Sequence, residues 1–218
     1  MSEIDLLEKY PKTQRNVEER GQEKTEDDRK IARQFGKDYF DGDRRFGYGG
    51  YTYQSRFWQP VVPTFIEYYG LDDESTILDV GCGKGFMLHD FAQALPGVNL
   101  KGVDISDYAI ANAMETVKPF IVKADAKELP FEDKSFDLVI SINTIHNLPI
   151  EECKKALTEI QRVSRRDSFV TVDAYRTPEE KKRMDAWNLT AQTYMHVDEW
   201  KKLFKAAGYE GDYFWFIP

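Results

Sequence analysis

Asp79, Asp104, Asp125, Asn143 and Asp173 each close a short apolar run, and the first is followed by glycine at every second position, Gly81, Gly83 and Gly85. Carboxylates and an amide at the ends of apolar strands are hydrogen-bond acceptors placed where α/β sheets bind ligands. Glycines in a turn between strand and helix let backbone N–H groups face a nucleotide-like ligand, because a Cβ would hold it away. Asp104 lies nineteen residues after Gly85, the interval expected of a carboxylate that accepts both hydroxyls of a ribose. Cys82 stands inside the turn, where the requirement is a small side chain. A dinucleotide fingerprint would need glycine at position 86, which is Phe86, so the spacing speaks against a nicotinamide cofactor.

Such residues act together only if strands and helices alternate. A strand over 76–80 leads into a helix at about 85–95, whose Leu88, Phe91, Ala92 and Leu95 recur with helical period. A second strand over 99–103 precedes a helix capped by Ser106, with Ala109, Ile110, Ala113 and Val117 on one face. A third strand is expected over 120–123. The run 136–142 is apolar on both faces, as a central parallel strand must be. Cys153, Ala156, Leu157, Ile160 and Val163 line the next helix, 169–172 is a fifth strand, Arg165-Arg166-Asp167-Ser168 before it reads as a turn, and 176–195 is an insertion. A last helix with Trp200, Leu203, Phe204 and Ala207 stops at Gly208, and one strand over 212–217 ends the chain. The expectation is an α/β fold, a doubly wound, mainly parallel Rossmann-like sheet with helices on both faces.

Two segments precede it. Residues 1–34 form a charged N-terminal arm, with sixteen charged side chains in the first thirty residues and a Leu6-Leu7 pair able to pin it to the body. Residues 35–70 carry twelve aromatic side chains, and the glycines and arginines among them suit a lid over a polar ligand. The helical stretch that ends it has Gly70 as its stop. Residues 71–218 are the main domain. A chain of 218 residues, 41% hydrophobic and 31% charged, is long enough for this plan. The net charge of −8 and the lack of a basic cluster weigh against nucleic acid. No run approaches 18 apolar residues and the first residues lack signal-peptide character, so no membrane span and a cytoplasmic location are expected. No metal-ligand spacing occurs.

Asp79-x-Gly81-x-Gly83-x-Gly85 resembles the first motif of class I S-adenosylmethionine-dependent methyltransferases, of the type 11-like kind. Val122-Lys123-Ala124-Asp125-Ala126 and the segment from Phe136 to Leu148 resemble later motifs of that family, in order. The resemblance implies S-adenosyl-L-methionine as cofactor. It implies that Asp79, Gly81, Cys82, Gly83, Gly85, Asp104 and Ile105 contact it, that Asp125 accepts from the adenine amino group beside the Ala126 N–H, and that Asn143 lies by the methionine portion. It places His146 on a histidine common in small-molecule members, where it is the candidate general base. Tyr194, His196 and Asp173 remain open as alternatives, and a neutral amine acceptor would need no dedicated base.

Tyr51, Tyr53 and Trp58 are candidates to hold the sulfonium by cation–π attraction. Arg56 is the candidate partner for a carboxylate, and Trp187 marks the substrate-side insertion. The expected reaction is in-line methyl transfer to a small-molecule acceptor, with a homodimer as the only macromolecular partner admitted. A protein or peptide methyltransferase and a non-catalytic S-adenosylmethionine-binding protein are the alternatives.

Overall fold

The computed structural model describes residues 1–11 and 24–218. Residues 12–23 of the expected charged arm lie outside the described residues. Seven strands form one sheet: β1 (Thr76–Val80), β2 (Asn99–Asp104), β3 (Ile121–Lys123), β4 (Phe136–Ile142), β5 (Ser164–Tyr175), β6 (Met195–His196) and β7 (Asp212–Phe216). Their order is β3-β2-β1-β4-β5, with β6 and β7 both paired to β5, and every pairing between named strands is parallel. The order reverses between β1 and β4, which opens a crevice beyond their carboxyl ends.

The helices among the described residues are α1 (Glu26–Ala32), α2 (Lys37–Asp41), α3 (Ser55–Trp58), α4 (Val62–Tyr69), α5 (Phe86–Ala94), α6 (Asp107–Ala111), α7 (Ile150–Val163), α8 (Pro178–Trp187) and α9 (Val197–Ala206). Side chains alternate across a strand, so β4 feeds two cores. Leu138 and Ile140 join Phe65, Leu88 and Phe91 of α4 and α5 on one face. Val139 joins Leu157, Ile160, Trp200 and Phe204 of α7 and α9 on the other. Each such buried side chain contributes about 1.5–3 kcal/mol, and the strand's two polar residues are buried with partners, Asp137 bonded by Thr76 and Arg165 and Ser141 donating to the Val80 carbonyl. α4 ends at Gly70, whose φ of 58° is the left-handed stop expected there.

Three local expectations are corrected. The Ser106-capped helix stops at Ala111: the Asn112 side chain turns back to the Tyr108 carbonyl, and the Met114 N–H donates to the Lys84 carbonyl, which draws the chain to the glycine turn. The third strand starts at Ile121, after a short 3-10 turn through Pro119. The supposed turn 165–168 is strand. Its charges are matched, Arg165 to the Asp137 carboxylate at 2.6 Å and Arg166 to the Tyr69 carbonyl at 2.7 Å, and a register shift beside Phe136 accommodates them.

The chain's first residues flank its last strand. The Ile4 N–H donates to the Tyr213 carbonyl and the Tyr213 N–H to the Ser2 carbonyl, both at 3.0 Å, and Leu6 is buried in the core.

Candidate functional site

The carboxyl ends of the strands open into a cavity of about 1440 Å³. Pockets for one small molecule run to about 300–1,000 Å³, so this one has room for a cofactor and a second reactant. One wall follows the strands in order: Asp79, Gly81, Cys82 and Gly83 after β1, Asp104 and Ile105 after β2, Asp125 and Ala126 after β3, and Asn143 after β4. The three turn glycines have φ of 83°, 56° and 75°, but they serve different ends. A Cβ on Gly81 would come within 2.2 Å of Thr144, so this glycine admits a neighbouring side chain at the switch point. A Cβ on Gly83 would meet nothing nearer than the Tyr51 ring at 3.4 Å, which leaves that stretch of backbone open to a ligand. Gly85 does not line the cavity. A Cβ there would strike Val117 and Ile121, so it packs the turn against its neighbours and the expected cofactor contact is corrected. Burial pushes the Cys82 thiol well above its ordinary range, which leaves it a small, unreactive filler.

Two of the acids on this wall, Asp104 and Asp125, are held by backbone amides. Asp104 accepts the Gly83 N–H on Oδ2 at 2.7 Å and the Ser106 N–H on Oδ1 at 2.8 Å. Each oxygen keeps a second lone pair for a ligand hydroxyl. Burial lifts the Asp104 carboxyl despite those amides, and burial together with the nearby Asp104 pushes Asp79 up to about 7. Asp125 accepts the Lys127 N–H at 3.0 Å and lies 3.3 Å from the Lys127 ammonium. Asn143 adopts a left-handed φ of 51°, held there by its N–H on the Thr171 hydroxyl and the return bond from that hydroxyl to its Oδ1, both at 2.9 Å.

The aromatic segment forms part of the cavity's rim through Tyr39, Phe40, Tyr48, Tyr51 and Trp58. It is latched to the glycine turn by Lys84, which is buried in the motif itself. The Lys84 ammonium donates to Asp41 Oδ2 at 2.6 Å and to the Tyr51 carbonyl at 2.8 Å, while the Tyr51 N–H and the Tyr108 hydroxyl donate to the same carboxylate. Two expected substrate residues stand elsewhere. The Tyr53 hydroxyl donates to Asp90 at 2.5 Å, and the Arg56 guanidinium lies over the Phe57 ring at 4.9 Å; neither lines the cavity. The arginines that do line it are Arg33, Arg44, Arg176 and Arg183, and Trp187 lines it with its ring tilted against Phe216.

His146 lines the cavity but is not placed as a base. Its Nδ1 accepts the Asp173 N–H at 2.9 Å, which fixes the proton on Nε2. Burial pushes its pKa down to about 3. The ring is therefore neutral and can offer only an N–H to a ligand, which corrects the general-base assignment. His196 caps α9, with Nδ1 accepting the Asp198 N–H, and neither it nor Tyr194 lines the cavity.

The profile of a family described as a methyltransferase domain matches residues 78–172, from β1 into β5. Residues 78–172 form a class I methyltransferase domain. An uncharacterized protein of Haemophilus influenzae is 31% identical over 154 residues, covering 64% of this chain and 60% of that one. The tRNA (carboxymethyluridine(34)-5-O)-methyltransferase of Arabidopsis thaliana is 32% identical over 143 residues, covering 65% of this chain and 33% of that one. This chain thus matches a third to three-fifths of the length of those relatives. Among solved structures, the YcgJ protein of Bacillus subtilis shares the fold with a TM-score of 0.56 at 21% identity, covering 67% of this chain and 66% of that one.

Methyltransferase domains of this class use S-adenosylmethionine, and the wall described above fits it. Nine of the ten residues expected to contact a cofactor line one side of the cavity, Gly83 leaves its backbone open, and Asp104 keeps lone pairs for two hydroxyls. Sequence reasoning missed Lys84 and Asp41, since a lysine inside a glycine turn reads as solvated. It also missed the cavity arginines, which sit in segments with no motif.

The cavity holds a second perturbed acid, Asp173, which burial pushes up to about 7. A carboxyl raised in the folded state binds more protons than the unfolded chain between its ordinary value and 7, so its contribution to stability is complete below about pH 4 and lost as pH rises through 7. Asp173→Asn is expected to exceed the wild type by roughly 2–4 kcal/mol at pH 8 and to match it near pH 4. Urea denaturation at the two pH values checks this.

Proposed function

We propose that the chain transfers a methyl group from S-adenosylmethionine to a small-molecule acceptor. The observation that carries this reading is the partition of the cavity. The cofactor-type residues occupy the β1–β4 side, and beyond them the space is bounded by Trp187 and Arg183 of α8, Phe216 of β7, and Leu7, Tyr10 and Trp58. Walls drawn from four separate parts of the chain suit a compact acceptor better than an extended polymer.

When bound, S-adenosylmethionine would supply a sulfonium-activated methyl group. Asp104 would hold the ribose, Asp125 and the Ala126 N–H the adenine, and Asn143 with Asp79 the methionine end. Charge disappears in the displacement, so alignment and exclusion of water are what the protein supplies, about 7–11 kcal/mol in favourable cases. Tyr51, Trp58 and Trp187, among the aromatic side chains that line the cavity, would exclude water and face a cation.

Calorimetry with S-adenosylmethionine, S-adenosylhomocysteine and NAD tests the cofactor: the first two should bind and NAD should not, and binding of NAD alone would refute the reading. Methyl-labelled cofactor incubated with fractionated cell extract tests the acceptor class. Label that enters only the protein fraction would replace the small molecule by a polypeptide.

A further inference from the structure

Resting on the methyltransferase reading above, we propose that Asp173 is the catalytic base of this site, receiving the proton of a neutral amine or hydroxyl acceptor. Asp173 lies two residues before the carboxyl end of β5, next in the sheet to β4, and so on the far side of the switch point from the β2 and β3 acids. Its backbone is fixed from both sides. The N–H donates to His146 Nδ1 and the carbonyl accepts the Trp200 indole N–H, each at 2.9 Å. The side chain lines the cavity at 8% exposure.

The carboxylate itself has no donor. Among the described residues no group gives it a hydrogen bond: His146 Nδ1 lies 3.5 Å from Oδ1, and that nitrogen is already an acceptor. Lys24 is the one cation that acts on it, but its ammonium is held by the carbonyls of Ala186, Trp187 and Asn188 at the end of α8. α9 contributes only the Trp200 indole, which is spent on the backbone. Two further buried acceptors on the same wall, Asn147 Oδ1 and Asn188 Oδ1, also lack partners. Buried acceptors without donors are costly, and these two, with the Asp173 carboxylate that also lines the cavity, call for a ligand rich in N–H or O–H. A carboxylate acceptor would meet repulsion there and has no proton to give.

In the reaction the acceptor's lone pair forms the new bond to the methyl carbon, and the carbon–sulfur pair leaves with sulfur, neutralising the sulfonium. The acceptor's N–H or O–H proton passes to a carboxylate oxygen of Asp173 and then to solvent. Burial that lifts this carboxyl towards neutrality suits a base working near pH 7.

The test uses the full chain, labelled S-adenosylmethionine, and a panel of small primary amines, alcohols, phenols and carboxylic acids. D173N should lower kcat at least a hundredfold and change S-adenosylhomocysteine affinity by less than twofold. The rising limb of the wild-type pH profile near 7 should be absent from its residual rate, and Asp173→Glu should recover part of the activity. D173N within threefold of wild-type kcat, or transfer to carboxylic acids alone, would overturn the proposal, as would a wild type that binds cofactor yet methylates no amine or hydroxyl in the panel. Failure to bind either cofactor form would refute the methyltransferase reading instead.

Discussion

Asp104→Ala is expected to weaken S-adenosylhomocysteine binding at least a hundredfold, which corresponds to about 2.7 kcal/mol. Hydrogen bonds to a charged acceptor contribute about 1.5–3 kcal/mol each, and a ribose would make two. The same change leaves the Gly83 and Ser106 N–H groups without their acceptor, so the turn loses its shape along with the ligand's anchor. Asp104→Asn separates the two effects, since its amide can still accept from one of those N–H groups. Calorimetry on both variants is the measurement. Affinity within threefold of wild type for the alanine variant would remove Asp104 from the cofactor site.

Lys84→Met should destabilise the fold by about 3 kcal/mol, the lower end of what breaking a buried pair costs. It strands an Asp41 carboxylate that is only 24% exposed and removes the donor to the Tyr51 carbonyl. Burial opposes the Asp41 charge, but the bonds from Lys84, the Tyr51 N–H and Tyr108 outweigh it and hold the carboxyl below its ordinary value. A carboxyl lowered in this way adds stability above about pH 4 and loses it as the pH falls further. The deficit of Lys84→Met should therefore shrink in acid. Amide hydrogen exchange should also quicken across residues 37–51 ahead of the sheet. Adding Asp41→Asn should restore part of the loss, because a neutral amide leaves no buried charge behind. Unchanged exchange in that segment would show that the latch does not hold the lid.

What the sequence revealed follows from what is periodic in it. β4 was readable because two buried faces call for mostly apolar residues, and Gly70 because a left-handed stop favours glycine. β5 was read too short at its start, since the pairing of Arg165 with Asp137 joins residues 28 positions apart and leaves no local trace. The strand-end acids were legible as a set, and all of them line the cavity. The role of His146 was not, because it is decided by the direction of one N–H from Asp173. Tyr53 and Arg56 failed for a similar reason. Their residue types suited a ligand, but Asp90 and the Phe57 ring, neither of them predictable partners, took them first.

The stitch between Ser2, Ile4 and Tyr213 sets an order of events during synthesis. Residues 2–4 leave the ribosome early yet cannot dock until β7 exists, 210 positions later. β7 in turn pairs with β5 alone among the named strands. Closing so long a loop is slow, so the central strands can assemble on the nascent chain while the edge waits for its last residues. Leu6 packs with the α4 and α5 side of the core, and until then it lacks the backbone anchor that Ser2 and Ile4 supply.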